Sequence, residues 1–144
     1  KPLSAEIAAS GFNLNDIIII ASLIEREAKI PEDRTRISSV IRNRLVKNMR
    51  LAIDATVLYA LGEHKNKVYY KDLKFDSPYN TYMYAGLPPG PIANPGIESV
   101  KAAIHPDESD YLFYVAKPDG SHIFSKTFEE HQRAINEIRK TNGD

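Results

Sequence analysis

Two carboxylates two residues apart, Glu25 and Glu27, close a run of eight uncharged residues from Ile17 to Ile24. A carboxyl held at the end of a buried apolar helix loses hydration. Its pKa rises, and it can keep a proton to donate near neutral pH. The other reading of such residues is a solvated helix terminus, with Glu25 placed to pair with Lys29 at i,i+4. At about 100° per residue, Glu25 falls beside Ile18 and Glu27 beside Ile20, on opposite borders of the apolar stripe. Periodicity does not choose between them.

Other polar groups add to this pair. Asp54 is the one candidate for a second carboxylate, with helix N-capping as its competing role. Five tyrosines, at 69, 70, 79, 82 and 84, crowd the segment Tyr69–Tyr84, which contains Tyr79-Asn80-Thr81-Tyr82. Rings that stack on apolar sugar faces, beside amides and hydroxyls that read sugar hydroxyls, suit an oligosaccharide groove. Ordinary packing is the alternative. The four histidines, His64, His105, His122 and His131, are scattered without an HExxH or His-x-His pattern. His122 and His131 lie on adjacent segments and could meet, more readily in a structural hydrogen bond than around a metal. Neither Ser22 nor Ser77 sits on a Gly-flanked nucleophile turn. No GxGxxG or Walker motif is present.

Composition narrows the class. A chain of 144 residues suits one domain with a real core, and 42% hydrophobic with 26% charged residues is ordinary for a globular protein. Nineteen acidic residues balance nineteen basic ones, so no basic nucleic-acid footprint exists. The absence of cysteine removes disulfides and thiolate chemistry. The Ile17–Ile24 run is too short to span a bilayer. The first residue is Lys1 rather than Met, and a longer parent protein is expected, with any anchor outside this sequence.

The elements that must position these groups follow from punctuation and period. Lys1–Phe12 reads as an amphipathic lead-in closed by Gly11. A helix is expected over Asp16–Lys29, capped by Asn15 and ended by Pro31, which opens a second helix carrying Ile37, Val40, Ile41 and Leu45. A short helix from Ala55 to Leu61, with Asp54 as N-cap, stops at Gly62, and Glu63–Lys67 is a loop. Gly86–Gly96 holds four prolines and three glycines. No regular element tolerates that density, and its apolar flanks predict an ordered loop packed on the domain. A helix over Ile97–Ile104 ends at His105-Pro106. Tyr111–Ala116 and His122–Ser125 form a hairpin about Pro118–Ser121. Thr127 and Glu130 make a capping box for a last helix, Phe128–Lys140.

Several of these stretches together resemble one family. Ala21-Ser22-Leu23-Ile24-Glu25-Arg26-Glu27 is similar to the signature of the endolytic murein transglycosylases, the MltG/YceG-like family. The likeness continues through Met49-Arg50-Leu51, Asp54-Ala55-Thr56-Val57, Tyr79–Tyr82, Gly86–Ile92, Asn94-Pro95-Gly96, Ala102-Ala103 with Pro106, Tyr111–Val115, and His122 with Phe124. It covers about residues 15 to 140, and Ala55 stands where the family usually has Pro. The resemblance implies an α+β fold, with helices in a lysozyme-like arrangement and a small antiparallel hairpin around a glycan groove. It also implies a single catalytic domain over 1–144 that cleaves the bond between N-acetylmuramic acid and N-acetylglucosamine without cofactor or metal, leaving a 1,6-anhydro end. It assigns the acid/base to Glu25 and leaves Glu27 as a surface or supporting residue.

With that implied chemistry, Asn80, Thr81, Tyr82 and Asn94 are expected to orient the sugars, and Asp54 and Thr56 to shape the cleft. The expected partners are peptidoglycan strands and peptidoglycan synthases, on the outer face of a bacterial plasma membrane. Two other readings stand beside this one: a water-using muramidase with Glu25 and Asp54, and a silent glycan-binding module. A metal hydrolase using His122 and His131 is weaker.

Overall fold

The structure, a computed structural model, describes residues 2–62 and 67–141. His64 and most of the expected Glu63–Lys67 loop lie outside the described residues. The elements run α1 (Pro2–Ala9), α2 (Leu14–Glu27), α3 (Asp33–Val46), α4 (Asp54–Leu61), a 3-10 turn (Tyr70–Lys74), α5 (Ile97–Ile104), β1 (Phe113–Ala116), β2 (His122–Ser125) and α6 (Phe128–Thr141). The fold is α+β, as expected.

The long helix α2 is the centre. Ile17, Ile20, Ala21, Leu23 and Ile24 are at most 1% exposed, because α3, α4 and α5 all pack on it. Each fully buried Ile or Leu contributes about 1.5–3 kcal/mol of transfer free energy. Ile37 and Ile41 of α3, Val100 and Ala103 of α5, and Leu51, Ile53 and Ile92 from connecting segments complete the same core. Among the described residues no single helix is long and apolar enough to cross a membrane.

Local capping departs from expectation at both ends of α2. The N-cap is Asn13, whose Oδ1 accepts the Asp16 N–H at 2.8 Å, and Asn15 lies inside the helix. The helix stops at Glu27 because Ala28 is already extended (φ −79°, ψ 130°). Lys29 is therefore past the end, and the helical Glu25–Lys29 pairing has no geometry in which to form. The chain turns at once into α3 through bonds from Asp33 N–H to Ile30 O and from Arg34 N–H to Pro31 O. At α4 the N-cap is Ile53, so Asp54 is the first helical residue and its carboxylate is left for another partner. Thr127 does cap α6 by accepting the Glu130 N–H at 3.1 Å. Glu130 reaches back to the Lys126 N–H at 2.9 Å.

The Pro/Gly stretch is ordered against α2, as its flanks predicted. Ser22, fully buried in mid-helix, donates to Ile19 O at 2.7 Å and accepts the Ile92 N–H at 3.0 Å. That bond seats Ile92 in the core at 4% exposure. Gly90 passes so close to Tyr79 that an added Cβ would stand 3.0 Å from the phenol oxygen. The two strands pair antiparallel from Phe113↔Ser125 to Ala116↔His122. Tyr114, Ala116, His122 and Phe124 therefore share one hairpin face, turned toward α2 and α3, while Phe113 on the other face meets α6.

Replacing Ser22 with Ala strands the buried Ile92 N–H. Unfolding by heat or denaturant is expected to show a loss of about 1–3 kcal/mol, the usual cost of an unsatisfied buried donor. An unchanged midpoint would mean that the loop does not depend on this bond.

Candidate active site

A cleft of about 830 Å³ opens where the C-terminus of α2, the N-terminus of α4, the hairpin and α6 converge. Glu27 from α2, Asp54 from α4, Tyr82 from the Tyr-rich segment, and Tyr114 and His122 from the hairpin all line it. Arg44 of α3 lines it too, held by bonds to Leu112 O at 2.6 Å and Arg50 O at 2.9 Å, with its guanidinium over the Phe113 ring. At the α6 end Phe113 stacks on His131 at 5.1 Å between ring centres.

The two glutamates of the signature part company. Glu25 is exposed, and its Oε1 accepts the Gly96 N–H at 3.0 Å and the Ser99 hydroxyl at 2.8 Å. Gly96 is the N-cap of α5, so Glu25 ties the end of α2 to the start of α5 and the end of the Pro/Gly loop. The Gly96 bond, and after it the Ser99 bond, hold the Glu25 carboxyl below its ordinary range. Glu27 faces the other way. Burial raises its pKa first, and nearby Asp54 adds to the rise, against a Tyr114 hydroxyl that donates to Oε1 at 2.9 Å. The raised pKa expected of a carboxyl at this helix end thus belongs to Glu27 and not to Glu25. Nor is Glu27 a surface residue.

Around Glu27 the hydroxyls and carboxylates interlock. The Tyr82 hydroxyl donates to Asp54 Oδ1. Burial pushes the Tyr82 phenol far up, and the bond to Asp54 pushes it further. Tyr114 is raised for the same leading reason, burial, with Glu27 next. Both phenols therefore remain proton donors throughout the neutral range. Asp54 is exposed and does not cap α4.

Four expected sugar contacts lie elsewhere. Asn80 is fully buried, with Nδ2 donating to Leu73 O and Phe75 O at 3.0 and 2.8 Å and Oδ1 accepting the Tyr82 N–H at 2.9 Å. Thr56 and Thr81, at 0% and 1% exposure, bond to each other at 2.9 Å, and Thr81 accepts the Ile53 N–H at 2.8 Å. All three are spent inside the protein and cannot read a ligand. They fix Tyr82 against Asp54. Asn94 is exposed on the Pro/Gly loop and does not line the cleft. Of the expected binding residues, Asp54 and Tyr82 meet there. Sequence reasoning gave no role to Tyr114 or Arg44; the alternation of the hairpin offered the only signal for Tyr114.

A metal reading gains nothing from this geometry. His122 Nδ1 bonds to Asp33 and His131 Nδ1 is buried without a partner. Among the described residues no group of three or more His, Cys, Asp or Glu could hold a metal ion.

The chain matches the model of the YceG-like family over residues 2–137. It is 52% identical over 130 residues to an endolytic murein transglycosylase of Bacillus subtilis, covering 90% of this chain and 36% of the relative. A protein of the same name from Streptococcus pneumoniae is 33% identical over 143 residues, covering 95% of this chain and 26% of its own length. The chain thus spans about a third or less of these relatives. The crystal structure of a YceG-like protein from Listeria monocytogenes superposes with a TM-score of 0.88 at 50% identity, over 92% of this chain and 44% of that one. This chain belongs to the YceG-like family.

Proposed function

We propose that the chain is the catalytic region of an endolytic peptidoglycan lytic transglycosylase, with Glu27 rather than Glu25 as its single acid/base. The name of its relatives supports the reaction class. The observation that carries the residue assignment is the Glu27 carboxyl: it is raised by burial in a cleft whose other polar groups converge on it, whereas Glu25 caps α5 outside that cleft. The substrate is the glycan strand of the bacterial cell envelope, and peptidoglycan synthases are the expected partners.

Protonated Glu27 gives its proton to the oxygen linking N-acetylmuramic acid to the next N-acetylglucosamine. The C1–O bond breaks, its electron pair leaving with that oxygen, through an oxocarbenium-like transition state. The Glu27 carboxylate so formed accepts the proton of the muramyl 6-hydroxyl as O6 bonds to C1, which yields a 1,6-anhydro end and restores the acid. The nucleophile is tethered to the sugar it attacks, so proximity takes the place of a second catalytic carboxylate. Tyr114 orients Glu27 by donating to it, and Asp54 and Tyr82 border the sugar. Asp54, close enough to raise Glu27, also supports a second reading in which it activates water. Its product would be a reducing muramyl end, one water heavier, and mass spectrometry of the released ends separates the two.

Glu27→Gln is expected to lower cleavage of uncrosslinked glycan strands by about 10²–10⁴-fold, the range of general acid catalysis. Glu25→Gln should stay within a few fold of the unaltered protein. If Glu25→Gln is the dead variant, the acid returns to Glu25. If both proteins bind strands and neither they nor the unaltered chain cut them, the domain is a glycan-binding module.

Stability should move in the opposite sense. Glu27 is raised on folding, so its contribution is intact at low pH and lost as pH climbs through its folded pKa; Gln escapes that loss. Glu25 is depressed, so its contribution is present above its unfolded pKa and lost as pH falls through the folded one. Thermal melts at neutral pH should therefore show Glu27→Gln above the unaltered protein and Glu25→Gln below it. The activity limb on the alkaline side should follow loss of the Glu27 proton, and should leave the Glu25→Gln profile unshifted.

A further inference from the structure

One polar pair beside the cleft has no part in the chemistry above. Asp33, in the first turn of α3, is 1% exposed. Its Oδ2 accepts both the backbone N–H of His122 at 3.0 Å and the ring Nδ1–H at 3.1 Å, while Arg36 reaches Oδ1 at 3.4 Å. In the neutral imidazole, a carboxylate behind one ring nitrogen selects the tautomer with the proton on Nδ1 and the lone pair on Nε2. The imidazole side chain is only 5% exposed yet lines the cleft, and Nε2 has no hydrogen-bond partner among the described residues. The ring stands edge-to-face with Tyr114 at 5.4 Å, and the Tyr114 hydroxyl is itself bonded to Glu27. His122 is thus oriented at two points, within one tyrosine of the acid, with a single acceptor left over.

A ring so braced, on a residue that lines the cleft and with Nε2 unpaired, fits a hydroxyl donor on the substrate. The group that most needs one is the nucleophile. The exocyclic C5–C6 bond has three staggered rotamers, and only one that places O6 under the anomeric carbon leads to ring closure. In any other rotamer, water competes.

We propose that His122, held by Asp33, is a positioning residue whose Nε2 accepts a hydrogen bond from the muramyl 6-hydroxyl and keeps O6 in the closing rotamer. The proposal rests on the transglycosylase reading and makes a claim that reading does not: the partition between anhydro and reducing ends depends on this ring. No proton passes to His122: while Glu27 is still protonated, the O6–H points at Nε2. Once Glu27 has given its proton to the leaving oxygen, the O6–H turns about C6–O6 to the new carboxylate and is transferred to it as the C1–O6 bond forms.

The test is mass spectrometry of uncrosslinked glycan strands digested by the unaltered protein, by His122→Asn and by Asp33→Ala, with thermal melts alongside. Asn at 122 can still donate to Asp33 and removes the cleft-facing acceptor. Ala at 33 removes the acceptor of both the backbone N–H and the ring Nδ1–H of His122, so the ring is no longer held in the orientation and tautomer that present Nε2. Each should lower the ratio of anhydro to reducing muramyl ends roughly tenfold, about the worth of one hydrogen bond to the waiting hydroxyl. His122→Gln, whose longer amide reaches toward the Nε2 position, should recover part of the ratio, and it is read in place of any variant that melts below assay temperature. A slower enzyme with an unchanged ratio would make His122 purely structural and overturn the proposal while leaving the transglycosylase reading intact. Absence of anhydro ends from the unaltered protein would overturn both, and is visible without any variant.

Discussion

A helix buried on almost every side can serve a reaction only through its end, and α2 is such a helix. With Ile17, Ile20, Leu23 and Ile24 sealed in the core, the side-chain hydrogen bonds from α2 to other elements come, among the described residues, from Ser22, Glu25 and Glu27. Ser22 and Glu25, three residues apart, lie on the same side and stitch the Pro/Gly loop at Ile92 and Gly96. Glu27, two residues on from Glu25, is carried to the other side and into the cleft. The loop's path, the seat of α5 and the aim of Glu27 are consequences of one rigid axis.

The cleft places a carboxyl where water does not stabilise its charge, and that choice works against stability. Burial alone would leave Glu27 an unpaired polar group. The Tyr114 hydroxyl satisfies it without adding a formal positive charge, so the rise that burial causes is only partly offset. Asp54 has its own donor in Tyr82. The threonine pair beneath, Thr56 and Thr81, is remote from any ligand and still decides where Tyr82 stands, through bonds into the Ile53 backbone. Residues that look like binding groups by type are here the frame of the binding groups.

Much of this was legible in the sequence because it follows from short-range rules. The apolar run and its flanks predict α2, Pro and Gly density predicts an irregular loop, and alternation about Pro118–Ser121 predicts the hairpin. The helix ends were less so: Asn13 and Asn15 are chemically equal caps, and which one serves depends on where the lead-in docks. Asp54 misled for the same reason, since a residue that opens a helix can cap it or point away.

What the sequence by itself determined was the inventory: a buried helix ending in two carboxylates about 200° apart around its axis, an ordered Pro/Gly loop, a Tyr-rich segment and a hairpin. It also carried the family likeness. Tertiary structure alone decided which carboxylate loses its water, because that depends on what packs against each side of α2. Ser99 and Gly96 of the α5 start arrived at Glu25 and lowered it; Tyr114 of the hairpin arrived at Glu27 and enclosed it. All three partners are more than 70 residues away along the chain, and helical periodicity, which reaches only a few residues, contains no term for them.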